Sequence, residues 1–265
     1  MQYIVGVRSD PGRVRRHNED SLLMGRRIWA VADGMGGQAA GEVASTMVTE
    51  RLRVLDASGV LDQNALVHLI DATNAAMLQH GRTHPTAAGL GSTAAGIAAA
   101  TIGGVPHWIV FNVGDSRVYR YADGTLTRET VDHNEAEELV AAGKLDPDMA
   151  LSHPGRSVLT RALGSDPAPV PDIFVLPQRP DEVFLICSDG LTLEVPDHLL
   201  RDTLRDNPDP AEAAEQLIDR ALEHGAHDNV TAIVVAVRPD DGADGPDQDS
   251  VETTIPRVRL RDIDG

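Results

Sequence analysis

Five times along this 265-residue chain, an acidic residue tied to Gly or Asn stands at the rim of a short apolar run. His17-Asn18-Glu19-Asp20 precedes Leu22 to Met24, and Asp33-Gly34-Met35-Gly36-Gly37 follows the run through Trp29 and Val31. Gly114-Asp115-Ser116-Arg117 follows Phe111 to Val113, Ser188-Asp189-Gly190 follows Phe184 to Cys187, and His227-Asp228-Asn229 opens the last run. Carboxylates are disfavoured inside strands and costly to bury unpaired, so each of these positions needs compensation. A turn would account for any one of them, since Asp-Gly is a common turn pair. Turns do not require the repetition, however, and side chains at strand ends are well placed to be aimed into one cleft. Together they read as a metal cage.

The runs themselves predict strands at Tyr3 to Val7, Arg27 to Ala32, Trp108 to Val113, Ser116 to Tyr121, Glu182 to Cys187 and Thr231 to Val237. Asp123-Gly124, between Tyr121 and Leu126, is a hairpin signal and favours antiparallel pairing there. Helical periodicity separates these groups. Val43, Ala44, Met47, Val48, Leu52 and Leu55 form one stripe; Leu66, Leu69, Ile70, Thr73 and Met77 form a second, predicted to end at Gly81. A third helix is expected to start at Asp209-Pro210, with Glu212 completing a capping pattern and Ala214, Leu217, Ile218, Ala221 and Leu222 buried. Consecutive strands interrupted by helix pairs argue for an α+β fold with antiparallel sheets. Pro239 to Ser250 is acidic and nearly free of apolar residues, so the expected organisation is one domain over 1–238 and an acidic, disordered tail over 239–265.

With 23 Lys+Arg against 41 Asp+Glu, the formal charge is −18, which repels a nucleic-acid backbone. No segment reaches the roughly 20 apolar residues of a membrane-spanning helix, and Met1 to Arg8 lacks the pattern of a signal peptide. One cysteine, Cys187, permits no internal disulfide, which fits a reducing cytoplasm. A soluble cytoplasmic monomer is the expectation. The sequence is read as offering neither a Cys pair nor a His-x₃-His spacing, which argues against zinc, whereas Asp, Glu and backbone carbonyls suit Mn²⁺ or Mg²⁺. Gly34 would let a carbonyl approach such an ion with no Cβ in the way.

The ordered motifs resemble those of the PPM, or type 2C, family of metal-dependent serine/threonine protein phosphatases, in its bacterial form. They are RVRRHNED (13–20), WAVADGMGG (29–37), GSTA (91–94), FNVGDSRVYR (111–120), LTRALG (159–164), ICSDGL (186–191) and DNVT (228–231). The resemblance implies a sandwich of two antiparallel β-sheets flanked by helix pairs, four layers in all, with a dinuclear site at one end. It further implies that Asp33 bridges two Mn²⁺ or Mg²⁺ ions, that the Gly34 carbonyl binds one, and that Asp189 and Asp228 hold the other. Asp115, with Asp189, would help hold a third ion. Glu19, Asp20 and Asn229 would support these ligands, and Arg15 would bind substrate phosphate with its planar guanidinium. The implied activity is attack by a hydroxide, formed between the two cations, on phosphoserine and phosphothreonine in other proteins, opposing serine/threonine kinases.

Met35 stands where some relatives have His, and a thioether donates no proton, so the leaving-group acid is not identified. His133 and His153, in a stretch resembling the family's variable flap, are candidates to touch substrate. Cys187, inside an apolar run, is read as a buried residue and not a nucleophile. Val251 to Ile255, with Thr253 and Thr254, is a candidate phosphoacceptor or docking peptide. Two other readings are a pseudophosphatase that binds phosphorylated partners, and a phosphatase dedicated to small regulators of transcription factors. Retaining Asp33, Asp189 and Asp228 together argues against the former, because a binding module has no reason to confine like charges.

Overall fold

Central strands buried on both faces, such as β-strands 28–35, 94–102 and 230–238, together with helices apolar on one stripe, build four layers. The computed structural model describes residues 1–36 and 40–239. One sheet has the order β1 (Gln2–Asp10), β11 (Val230–Arg238), β10 (Val183–Cys187), β7 (Arg117–Ala122), β8 (Thr125–Arg128). The other runs β2 (Asp20–Met24), β3 (Ile28–Met35), β5 (Ala94–Ile102), β6 (Val105–Val113), β9 (Asp172–Pro177), with the two-residue β4 (Gly91–Ser92) on β3. Among the described residues the strands of both sheets pair antiparallel. Asp123 and Gly124, both with positive φ, turn β7 directly into β8, as the Asp-Gly pair predicts.

The inner faces of the two sheets meet in a layer containing Trp29, Val31, Trp108, Phe184, Ile186 and Ile233. Helices α1 (Ala40–Ala57) and α2 (Gln63–Thr83) cover the outer face of the second sheet through Ala44, Val48, Leu52, Leu66 and Ile70. Helices α4 (Asp189–Glu194), α5 (Asp197–Asp206) and α6 (Pro210–His224) cover the first through Leu191, Leu200, Leu217 and Ile218. The sandwich is therefore as expected. The segment between β8 and β9 forms a separate flap of α3 (Glu135–Ala141) and two 3₁₀ turns, Pro147–Ser152 and Pro154–Ser157.

Three sequence expectations need correction. Val43 is 37 % exposed, because α1 packs through Ala40, Ala44 and Val48, spaced four apart, and Val43 lies a step off that line. Gly81 does not end α2, which continues to Thr83. A Cβ there would lie 3.3 Å from Leu90 Cδ2 and 3.4 Å from the Ala87 oxygen, so Gly81 makes room for the chain folding back. Asp33 lies within β3, not beyond its end, and Asp20 opens β2; the two are cross-strand partners. Beyond Pro239 the expected tail, with Thr253 and Thr254, lies outside the described residues.

Candidate metal centre

Directly opposed carboxylates in an antiparallel pair repel each other, so the Asp20–Asp33 register is unfavourable unless something holds it. Short hydroxyl side chains do so. Ser188 and Thr231 each donate to Asp20 Oδ2 at 2.7 Å, fastening β2 to the ends of β10 and β11 across the sandwich. Thr93 Oγ1 accepts from the Asp33 amide at 2.9 Å and lies 2.7 Å from Ser116 Oγ, beside Asp115. Asp189 opens α4, and Asp228 sits in the loop entering β11. These two approach because Gly190 lies against the Asn229 carbonyl; a Cβ on Gly190 would stand 2.0 Å from that oxygen.

Burial first, and then mutual repulsion, raises the pKa of four of these acids. Asp20 is pushed up to about 7 and Asp189 to about 6. Asp33 and Asp115 are driven well above the usual carboxylate range by burial. For Asp33 the repelling neighbours are Asp20, Asp189, Asp115 and Asp228, which places all five in one electrostatic cluster. Asp20 Oδ1 is buried with no hydrogen-bond partner. Among the described residues, no three His, Cys, Asp or Glu side chains are drawn together tightly enough to close on a single ion. The fit to a divalent cation therefore rests on the clustered like charges, the partnerless Asp20 oxygen and a donor set made only of oxygen. All three suit Mn²⁺ or Mg²⁺.

Arg15 answers part of this charge: its Nη2 donates to Asp228 Oδ2 at 2.7 Å. The hydrogen bond and charge of Asp228 raise the Arg15 pKa further, so its charge is permanent. Asn229 holds the segment that carries Arg15. Its Oδ1 accepts from the Glu19 amide at 2.9 Å, and its Nδ2 donates to the Pro11 and His17 carbonyls at 3.0 and 2.9 Å. The Glu19 carbonyl accepts from Ser45 Oγ at 2.6 Å and from the Gly34 amide at 3.2 Å. A Cβ on Gly34 would lie 2.0 Å from the Gly41 oxygen, so close packing of α1 on β3 already demands glycine there.

Beside Asp115 and Asp189 lies a narrow cleft of about 30 Å³, lined also by Arg117 and Asp132 and, from the flap, by Leu151 and Arg156. The rings of both flap histidines make hydrogen bonds within the fold. His133 is 4 % exposed and internally hydrogen-bonded, and His153 Nδ1 caps Gly155 at 3.0 Å. Cys187 is fully buried, its thiol pKa raised by that burial, consistent with a packing role. Met35 is half-buried at the end of β3, opposite Gly91. His80 and His84 do carry a His-x₃-His spacing, but their rings stack at 4.1 Å and no acid or thiol among the described residues completes a zinc site. Thr93, Ser188 and Thr231 lie inside the motifs GSTA, ICSDGL and DNVT, but nothing local in those motifs tells that their hydroxyls hold Asp20 and Asp33.

The protein phosphatase 2C family model matches residues 13–234. The serine/threonine protein phosphatase PstP of Mycobacterium tuberculosis is 40 % identical over 236 residues, covering 87 % of this chain and 44 % of that protein. This chain thus spans less than half the length of that relative. The serine/threonine phosphatase stp of Listeria welshimeri is 34 % identical over 241 residues, covering 86 % and 93 %. The crystal structure of the M. tuberculosis phosphatase superposes with a TM-score of 0.83 at 38 % identity, covering 89 % of this chain and 99 % of that one. A crystal structure of the PstP catalytic domain in complex with two manganese ions gives 0.81 at 36 % identity, covering 89 % and 99 %.

Proposed function

We infer the reaction from the fact that this chain belongs to the protein phosphatase 2C family: it is a metal-dependent phosphatase that hydrolyses phosphoserine and phosphothreonine in other proteins. The observation that carries this reading is the cluster of Asp33, Asp189, Asp228, Asp115 and Asp20 beside a narrow cleft. Asp33, Asp189, Asp228 and the Gly34 carbonyl would hold two Mn²⁺ or Mg²⁺ ions, and Asp115 with Asp189 would hold a third. Bound there, the cations supply Lewis-acid chemistry, neutralising phosphoryl charge and acidifying water.

The chain's own groups do the rest. Arg15 is half-exposed and is held against the acidic cluster by its contact with Asp228, so a phosphoryl group brought there would meet a guanidinium that can engage two oxygens at once. Asn229 holds the Arg15-bearing segment against the last strand, and Glu19 and Asp20 tie it to α1 and to the sheet ends. The opposed kinases and a reducing cytoplasm belong to the same proposal; the latter is supported by a single, buried thiol.

The test is hydrolysis of para-nitrophenyl phosphate and of a phosphothreonine peptide with Mn²⁺, with EDTA, and by Asp189→Ala and Arg15→Lys. Turnover should require metal and vanish in Asp189→Ala. Arg15→Lys should raise KM about tenfold, because an ammonium does not reproduce the two-oxygen fork. Turnover by purified wild type in EDTA would overturn the reading.

A further inference from the structure

Asp115 is flanked by two residues that one distant dipeptide grips. On its N-terminal side, the Gly114 amide donates to His133 Nδ1 at 3.1 Å, while the His133 amide donates back to the Gly114 carbonyl at 3.0 Å. On its C-terminal side, Arg117 donates through Nε and Nη2 to the Asp132 carboxylate at 2.7 to 3.1 Å. Gly114 has φ +103°, and a Cβ there would lie 2.5 Å from Thr93 Cγ2, so the turn is glycine-specific and has little room to re-form elsewhere. Asn112 Nδ2 adds a third grip, donating to the Gly114 carbonyl at 3.0 Å and to the Val131 carbonyl at 3.1 Å.

The ring chemistry of His133 follows from its neighbours. Since Nδ1 accepts the Gly114 proton, it carries none, and a neutral ring must then be protonated at Nε2. Nε2 lies 3.3 Å from Asp172 Oδ2, the acceptor within reach, and 3.1 Å from Arg161 Nη1, which can only donate and instead bonds Asp172 Oδ1 at 2.9 Å. Asp172, at the start of β9, thus selects the tautomer, and the tautomer selects the turn.

We propose that Asp132 and His133 are positioning residues for Asp115, with the neutral Nε2–H tautomer of His133 holding the Gly114–Asp115 turn in the orientation that presents the Asp115 carboxylate to the metal centre. The assignment rests on the reading of Asp115 as a metal-binding residue. Groups that orient ligands in this way alter metal affinity by about 10- to 100-fold when removed.

Asparagine and glutamine divide the two functions of the ring. Asn at 133 places an acceptor where Nδ1 stood, whereas Gln reaches toward Asp172 and offers Gly114 nothing. Mn²⁺ binding measured by calorimetry should be within about twofold of wild type in His133→Asn. In His133→Gln, the Asp115-dependent step should be about tenfold weaker. The double variant His133→Gln/Asp115→Asn should be no weaker than Asp115→Asn alone. Equal losses in the two single variants, wild-type binding by His133→Gln, or additive losses in the double variant would overturn the proposal. Nitrogen-15 spectra of the wild-type protein read the same contact without any substitution: Nε2–H is expected, and a ring protonated at Nδ1 would also overturn it. If Asp115→Asn leaves Mn²⁺ binding intact while the Nε2–H tautomer is seen, the fault lies with the metal role of Asp115 and not with the clamp on its turn.

Discussion

Asp33 shows the conflict between stability and function most directly. Burial and four neighbouring carboxylates hold its pKa well above 3.8, so without cations its ionisation opposes folding. A group whose folded pKa is raised lends the stability of its bound proton fully below about 3.8 and loses it as pH rises through the folded value. Asp189 and Asp20 place that loss for the cluster between about 3.8 and about 6 to 7. Asp33→Asn removes the ionisation. In EDTA it should therefore melt above wild type, by a margin larger at pH 7.5 than at pH 5, while its Mn²⁺-dependent turnover falls about 100-fold or more. Calorimetric melts at the two pH values, with a phosphatase assay alongside, check both halves.

The site depends on where short elements begin. Helix α4 starts at Asp189, and its second residue, Gly190, rests on the Asn229 carbonyl just before β11, which brings Asp189 toward Asp228. Gly190→Ala must lift that turn by pushing a methyl against backbone. Overpacking of this kind costs about 1–3 kcal/mol. Urea denaturation should register that loss, and activity should fall with it. Gly59→Ala, with nothing within 4 Å of its added Cβ, should change stability by less than about 0.5 kcal/mol.

At the same scale, β5 explains one gap in sequence reading. Ala94–Ile102 is built largely of Ala and Gly, residues depleted in strands, yet it sits at the centre of a sheet. Small side chains are needed there because β5 lies between bulky neighbours: a Cβ on Gly96 would lie 2.6 Å from Phe111 Cζ and 2.5 Å from the Trp29 oxygen. That requirement belongs to residues far away in the chain, so no local pattern announces it.

The four layers act together on the site, since Asp20 and Asp33 come from one sheet and Asp228 from the entrance to the other. A cation held among them must link both sheets and stabilise the whole sandwich. Saturating Mn²⁺, about 100 times its dissociation constant, should add about 2.7 kcal/mol and raise the melting temperature by about 5–10 °C. EDTA should reverse the shift, and Asp189→Ala should abolish it. A melting temperature indifferent to Mn²⁺ would mean that the acids do not share an ion.

What the sequence determined by itself were the local features: strand periodicity, the Asp123-Gly124 hairpin, the Asp209 cap that accepts from Ala211 and Glu212, and the acidic residues at the rims of apolar runs. Each depends on residues within a few positions. Only tertiary structure decided that Asp20 faces Asp33, that Thr93, Ser188 and Thr231 anchor them, and that the His133 ring bonds the turn before Asp115. Those relations link residues as far as 211 positions apart, and sheet register and layer packing set them.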